Sequence, residues 1–98
     1  MTTPLRCVYA DAARILRDPL GARALEACER AGIEVVVLGP RELAEELDLE
    51  SFIGPDQDER KAIAAHMEAR GLSPDQCLRV TEGSFYEAVI GDIMRRRG

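Results

Sequence analysis

The residues best placed to carry chemistry follow two short apolar runs. Asp11 follows the run from Cys7 to Ala10, and Gly39 follows a run of valines and leucine that begins after Gly32. If both runs are parallel strands, their carboxyl ends meet on the side of the sheet where α/β proteins bind ligands. A carboxylate there can face a ligand, but aspartate is also common as a helix cap or turn residue. Asp11 is therefore either a ligand-facing group or a structural turn residue.

Three further polar residues are candidates for binding, and each has a simpler structural explanation. Glu82 precedes Gly83-Ser84, where a helix start can attract a metal ion or an anion, although serine there is a common helix cap. Lys61 lies on the polar face of an expected helix, where lysine is usually solvated. His66 is the only histidine, and no cysteine or histidine stands at metal-site spacing from it, which favours a boundary position over a catalytic one.

The segment from Gly32 to Pro40 predicts a buried parallel strand, because three consecutive valines leave no polar face for water. Before it, Leu20 to Ala31 has apolar residues at helical spacing, with Gly32 where a C-terminal cap is expected. A strand, this helix and the next strand form a right-handed βαβ unit. Asp11 to Pro19 is predicted to be a turn or loop, because Asp18-Pro19 interrupts any helix there.

The rest of the chain continues the alternation of strands and helices. The expected elements are a first strand from Leu5 to Ala10, a short helix from Arg41 to Leu47, a weak edge strand that includes Leu49, Phe52 and Ile53, a helix ending at Arg70 before Gly71, one helical turn at Ser73 to Gln76, a strand from Cys77 to Thr81 and a last helix from Ser84. These elements predict an α/β protein. We expect one domain spanning residues 1–98, with a single core.

The composition limits the partners and the cellular location. A net charge of −5 argues against nucleic acid and anionic lipid as partners, and Arg95 to Arg97 are better explained by a helix C-terminus. No apolar run is long enough to span a membrane and the start does not resemble a signal peptide, so we expect a cytoplasmic protein without membrane association. Cys7, Cys28 and Cys77 lie far apart in apolar segments, which predicts reduced core thiols instead of disulfides or a zinc site.

The order of elements resembles the haloacid dehalogenase superfamily of phosphohydrolases, especially its small capless members such as the sugar-acid phosphate phosphatases. Leu5 to Asp11 resembles the first family strand, which ends in the nucleophilic aspartate. Ala27 to Gly39 resembles the helix and strand "LxxAGIxVxxxTG", and Arg70 to Gln76 resembles the "LGLSPEE" segment before the fourth strand. The resemblance covers nearly the whole chain. It implies a three-layer α/β sandwich with a four-stranded parallel sheet in the order 3-2-1-4.

The resemblance also implies a particular chemistry. In the family one aspartate attacks phosphorus and another, two residues on, protonates the leaving oxygen; these positions are Asp11 and Ala13 here. A hydroxyl after the second strand and a lysine hold the phosphoryl oxygens, and here these are Leu38 and Lys61. Magnesium is bound by acids after the fourth strand, where this chain has Glu82. The proton donor and the hydroxyl are therefore missing.

The residues that remain form a reduced set. By resemblance, Asp11 and Lys61 are the candidate catalytic residues, and Asp11 and Glu82 are the candidate magnesium ligands. Glu87 follows Glu82 at a spacing of five, where the family has an aspartate at four. The leading hypothesis is a domain that has lost most catalytic motifs and serves as a non-catalytic binding, regulatory or assembly module, with no required cofactor. The alternative is a magnesium-dependent phosphohydrolase with Asp11 as nucleophile; a receiver-like phosphoacceptor is disfavoured because no aspartate ends the third strand.

A homodimer is the expected working state. The chain stops after its fourth strand and last helix, where family members commonly add a fifth strand, so Cys77 to Thr81 would be an open edge. The last helix carries apolar residues on more than one face, which a thin monomer would bury poorly. A second copy of the chain, or another protein partner, would cover these surfaces.

Overall fold

The computed structural model describes residues 3–97, which form one parallel sheet with helices on both faces. The elements are β1 (Cys7–Asp11), α1 (Ala12–Arg17), α2 (Gly21–Ala31), β2 (Glu34–Leu38), α3 (Arg41–Glu46), β3 (Phe52–Ile53), α4 (Glu59–Arg70), a 3₁₀ turn (Pro74–Gln76), β4 (Cys77–Val80) and α5 (Phe85–Arg97). The four strands pair in the order β3-β2-β1-β4. The predicted α/β class, the four-stranded parallel sheet and its strand order are confirmed.

Successive residues of the two central strands alternate between two apolar clusters. One cluster includes Val8 and Val37 and is covered by buried residues of α1, α2 and α5. The other includes Tyr9 and Val36 and is covered by partly buried residues of α4. Both faces of β1 and β2 are therefore buried, as the run of three valines predicted, and the molecule has three layers.

The segment after Asp11 is a helix, so the prediction of a turn or loop there was wrong. α1 is too short to be stable alone, but its residues Ala12 and Ile15 are buried against the sheet, and this contact stabilises it. Asp18-Pro19 ends the helix, as expected. A Cβ atom at Gly21 would lie 2.4 Å from the carbonyl oxygen of Ile15, so the absence of a side chain lets α2 begin directly against α1.

The long helix on the opposite face ends as its sequence predicts. Gly71 adopts a φ of 68°, and the Leu72 amide donates to the carbonyl oxygen of Met67 at 2.9 Å. In the next turn, the Gln76 side chain accepts a hydrogen bond from the Ser73 amide at 2.9 Å. In the part of the chain that the structure describes, no helix has the length and apolar character to cross a membrane.

The three cysteines are free thiols. Cys7 and Cys28 are buried on opposite faces of the sheet, whereas Cys77, the first residue of edge strand β4, is partly exposed. Burial raises the pKa of Cys28 to about 11 and also raises the pKa of Cys77. The predicted core position is therefore confirmed for Cys7 and Cys28 and holds only in part for Cys77.

Candidate functional site

Asp11 lies at the carboxyl end of β1 and lines two adjoining clefts, one of about 560 Å³ and one of about 210 Å³. It occupies the N-cap position of α1, but its side chain accepts no capping hydrogen bond. The carboxylate is partly exposed. Asp11 therefore faces the clefts, as the position of the strand end predicts.

The larger cleft lies between α1 and the start of α5, and we call it the Arg14 cleft. Besides Asp11 and Ala13, its lining includes Arg14, Arg17, Asp18, Ser84 and Glu87. Two nitrogens of the Arg14 guanidinium donate to the carbonyl oxygens of Thr81 and Gly83, each at 2.8 Å. Arg14 therefore links the end of β1 to the loop that follows β4 with two charge-assisted hydrogen bonds.

Asp18 closes the other side of the Arg14 cleft by capping α5. Its Oδ2 accepts hydrogen bonds from the Ser84 hydroxyl at 2.7 Å and from the Tyr86 amide at 2.9 Å, while Oδ1 accepts from the Leu20 amide at 2.9 Å. The Tyr86 hydrogen bond is the main cause that lowers the pKa of Asp18, and the Ser84 hydrogen bond adds to it. The Asp18 carboxylate therefore occupies the start of α5, where the sequence suggested a binding site for an anion.

Ser84 acts as a helix cap, in agreement with the structural explanation of this residue. Its hydroxyl oxygen accepts a hydrogen bond from the Glu87 amide at 3.2 Å, and the hydroxyl group donates a hydrogen bond to Asp18. Both hydrogen-bonding directions of the hydroxyl are thus used inside the protein. No free capping group remains on Ser84 for a ligand.

The structure places Asp11 with Glu87 in the Arg14 cleft and leaves the other candidates elsewhere. Glu82 is exposed, and Lys61 is exposed in the first turn of α4, where its amide donates to Asp58 at 3.1 Å. Neither Glu82 nor Lys61 lines the two clefts that contain Asp11. The structure therefore does not bring together the predicted set of Asp11, Lys61 and Glu82.

The smaller cleft has an apolar side at the position where the resemblance requires a hydroxyl. Leu38 is 7% exposed and packs in the same cluster as Ile53. Gly39 follows it with a φ of +150° and also lines the cleft, together with Glu59 from α4. Leu38 offers no hydrogen bond to a phosphoryl oxygen.

The residues around Asp11 fit magnesium poorly. Within residues 3–97, the one group of three or more acidic, histidine or cysteine ligand atoms that lie within 4.8 Å of one another is Cys7, Glu34 and His66, which does not include Asp11. The fixed positive charge of Arg14 lines the same cleft as Asp11 and repels a divalent cation at short range. The clustered hard oxygens that magnesium requires are not assembled here.

No family model matches the chain, and no curated protein matches it. Solved structures do match. One is the hypothetical protein XCC2798 from Xanthomonas campestris, with a TM-score of 0.60 and 22% identity over 81% of this chain and 55% of that chain. Another is the cobalt-bound deoxy-D-mannose-octulosonate 8-phosphate phosphatase YrbI from Haemophilus influenzae, with a TM-score of 0.59 and 16% identity over 80% of this chain and 58% of that chain.

The fold is haloacid dehalogenase-like. At these identities the comparisons show a shared fold and leave the activity open. The chain spans less than two thirds of the length of either solved structure. The resemblance found in the sequence is thus confirmed for the fold.

Arg14 and Asp18 were not identified from the sequence, although they organise the Arg14 cleft. Their partners lie 66 to 69 residues away along the chain, so no local motif contains both ends of these hydrogen bonds. One signal was available: the strand order 3-2-1-4 places the end of β1 beside the end of β4. Polar residues after these two strands are therefore candidates for contact.

Proposed function

We propose that this domain is a non-hydrolysing relative of the haloacid dehalogenase-type phosphatases that serves as a binding, regulatory or assembly module. The observation that carries the proposal is the pair of hydrogen bonds from Arg14 to Thr81 and Gly83. By resemblance, a magnesium ion would link the end of β1 to the loop after β4. In this chain an arginine side chain makes that link.

The exchange of a metal for a guanidinium changes what the cleft can do. Arginine remains protonated in proteins, has no acceptor and cannot act as a Lewis acid toward a phosphoryl oxygen in the way a metal ion does. Its charge also disfavours the approach of a second cation to Asp11. A fixed guanidinium can still attract an anionic partner at the mouth of the cleft, so binding is compatible with this arrangement.

The other positions support the same proposal. Ala13 lines the Arg14 cleft where the resemblance requires a proton donor, and Leu38 is buried where it requires a hydroxyl. Lys61 lies outside both clefts of Asp11. General acid catalysis and charge neutralisation are the main contributions to phosphoryl transfer in this mechanism. Arg14 and Arg17 supply positive charge in the cleft of Asp11, but Ala13 leaves it without the general acid.

One observation favours the alternative of a magnesium-dependent phosphohydrolase. The Asp11 carboxylate caps no helix and faces a cleft that Glu87 also lines. In that alternative Asp11 is the nucleophile and Glu87 takes the place of Glu82 as the second acid. The position of Arg14 beside Asp11 is what disfavours it.

A magnesium titration followed by amide chemical shifts tests the proposal. We expect no saturable shifts at Asp11, Gly83 or Glu87 in the unaltered protein. Arg14→Gln removes the positive charge and should allow weak magnesium binding at these residues, whereas Arg17→Gln, a change of the same charge in the same cleft, should not. Saturable magnesium shifts around Asp11 in the unaltered protein would contradict the proposal.

We also propose that the module is a homodimer. Strand β4 is an edge of the sheet, and its outer side is not paired with another strand within residues 3–97. On the adjacent helix α5, Met94 is 65% exposed. Two β4 edges related by a two-fold axis can pair with each other and bring the two α5 helices together.

A further inference from the structure

A second cluster of chemically competent side chains lies at the other end of the sheet from Asp11. The ligand atoms of Cys7, Glu34 and His66 all lie within 4.8 Å of one another. Cys7 and Glu34 are the first residues of β1 and β2 and face each other in register, and His66 comes from α4. We propose that these three residues, the Cys-Glu-His cluster, bind one Zn²⁺ ion.

The donor atoms of the Cys-Glu-His cluster suit zinc. Thiolate, imidazole and carboxylate are the three protein ligands of zinc, and a site with three of them keeps a water molecule as the fourth ligand. A sulfur ligand disfavours magnesium and calcium, which require oxygen. Two ligands that are each about 2.1 Å from zinc in a tetrahedron lie about 3.4 Å apart. His66 Nε2 and Glu34 Oε2 are already 3.2 Å apart.

The surrounding residues orient the ligands in the way that zinc sites require. Nδ1 of His66 lies 2.7 Å from the Tyr9 hydroxyl. Nδ1 can therefore carry the ring proton and donate a hydrogen bond to the Tyr9 oxygen, which leaves Nε2 to ligate the metal. Glu34 Oε2 also accepts hydrogen bonds from Ser51 at 2.7 Å and from Arg70 at 3.3 Å. The Arg70 side chain is 57% exposed and, unlike Arg14, can turn into the solvent when a cation binds Glu34. The imidazole and the carboxylate are thus both held by groups that are not ligands themselves.

The burial of the cluster defines how an ion would enter. Cys7 is fully buried, whereas the side chains of His66 and Glu34 are 17% and 27% exposed. An ion therefore enters from the side of His66 and Glu34 and reaches the sulfur last. Zinc is bound by the thiolate form of cysteine, so binding displaces the thiol proton. The S–H bond then breaks, a sulfur–zinc bond forms, and the proton leaves to the solvent.

The same observations exclude Cys7 as an enzymatic nucleophile. A fully buried thiol cannot reach a substrate, even with a histidine and a carboxylate beside it. Metal binding needs no such access, because the ion is small. The sequence argued against a zinc site because it offered no local spacing of ligands, but His66 meets Cys7 only through the packing of α4 on the sheet.

Titration of the full chain with Co²⁺ and Zn²⁺ tests the zinc site. Cobalt bound by a thiolate gives a sulfur-to-metal charge-transfer band in the near ultraviolet, which is absent when only oxygen and nitrogen are ligands. We expect this band to saturate at one ion per chain and to disappear when Zn²⁺ is added. Zinc should also raise the melting temperature by several degrees. Absence of the charge-transfer band in the unaltered protein would overturn the proposal.

Two variants identify the ligands. Glu34→Gln and His66→Gln should each weaken binding of Co²⁺ by more than about tenfold. A loss of about tenfold is the smallest that is typical when a group that only orients a ligand is removed, and the loss of a ligand itself should cost more. Cys28→Ser, which changes a buried thiol on the opposite face of the sheet, should bind the ion unchanged. Melting curves without metal identify the folded variants. Unchanged affinity in a folded Glu34→Gln or His66→Gln protein would show that the ion binds elsewhere.

Discussion

Arg14 and Thr81 join the ends of the two neighbouring strands β1 and β4: a guanidinium nitrogen of Arg14 lies 2.8 Å from the carbonyl oxygen of Thr81. A second nitrogen reaches Gly83, and Nε of Arg14 is buried without a hydrogen-bond partner. These two hydrogen bonds, to Thr81 and Gly83 in one loop, fix that loop relative to α1. The loop after β4 is therefore held in place by a side chain.

Replacement of Arg14 should loosen this loop. Arg14→Ala removes two charge-assisted hydrogen bonds from carbonyl groups that water can then reach, so we expect a loss of about 1 to 2 kcal/mol in the free energy of unfolding. Urea denaturation measures this loss. Arg17→Ala, in the same cleft, serves as the control and should change stability little. Faster amide exchange at Gly83 in Arg14→Ala alone would locate the effect.

Asp18 should make stability depend on pH in the acid range. Its pKa is lowered in the folded protein, chiefly by the Tyr86 amide, relative to about 3.9 in an unfolded chain. Its stabilising contribution is therefore complete above about pH 4 and is lost as the pH falls through the lower folded pKa. Asparagine has only one acceptor oxygen, so Asp18→Asn cannot accept hydrogen bonds at both Oδ1 and Oδ2, and we expect its melting temperature to be lower by about 5 °C at neutral pH.

The comparison of melting temperatures across pH checks this assignment. The difference between the unaltered protein and Asp18→Asn should shrink as the pH falls below 4. Glu82→Gln makes the same change of charge in the loop before α5 and should show no such difference, because Glu82 is exposed. A difference for Asp18→Asn that is constant over the whole pH range would show that the ionised carboxylate is not the source.

Val36 should tolerate no charge. It is 1% exposed in β2, between the sheet neighbours β1 and β3 and beneath α4. Val36→Asp buries an unpaired carboxylate, and we expect it to cost more than about 4 kcal/mol and to prevent folding. Circular dichroism and thermal melting measure the outcome. Ala65→Asp, at an exposed position of α4, is the control; a cooperatively melting Val36→Asp protein would refute the burial of β2.

Association through β4 predicts a concentration-dependent dimer. Sedimentation at tens of micromolar protein should give twice the chain mass. Met94→Glu places a charge at an exposed apolar position of α5, the helix that contacts β4, and should weaken the dimer. Leu16→Glu makes the same kind of change at an apolar residue of α1 that is 40% exposed, and it should leave the dimer intact. A monomer at these concentrations would count heavily against the dimer.

The sequence predicted the framework of the site better than its chemistry. The run of valines in β2 predicts a strand that is buried on both faces. The apolar run from Cys7 to Ala10 predicts the neighbouring strand β1, which ends at Asp11. The helix α1 was missed because its six residues gain stability from the packing of Ala12 and Ile15, which local propensity does not register.

The side-chain partners inside the clefts were beyond the reach of local patterns. Arg14 is an ordinary helical arginine until β4 is placed beside β1, and Asp18 has the sequence signature of a helix breaker. His66 and Tyr9 are 57 residues apart and meet only through α4. Glu82 matched the family position by spacing, but the turn after β4 leaves it exposed and directs Glu87 to the cleft instead.

The most direct test of the proposed loss of activity is turnover of phosphate monoesters. A panel of these esters with p-nitrophenyl phosphate and saturating magnesium should give negligible rates, with the unaltered protein and Asp11→Asn indistinguishable. Ala13 alone removes a general acid that contributes on the order of 10² to 10⁴ in rate, and the remaining losses act on the same transition state and need not multiply. Turnover of about 1 per second or faster that disappears in Asp11→Asn would contradict the account and identify Asp11 as a working nucleophile.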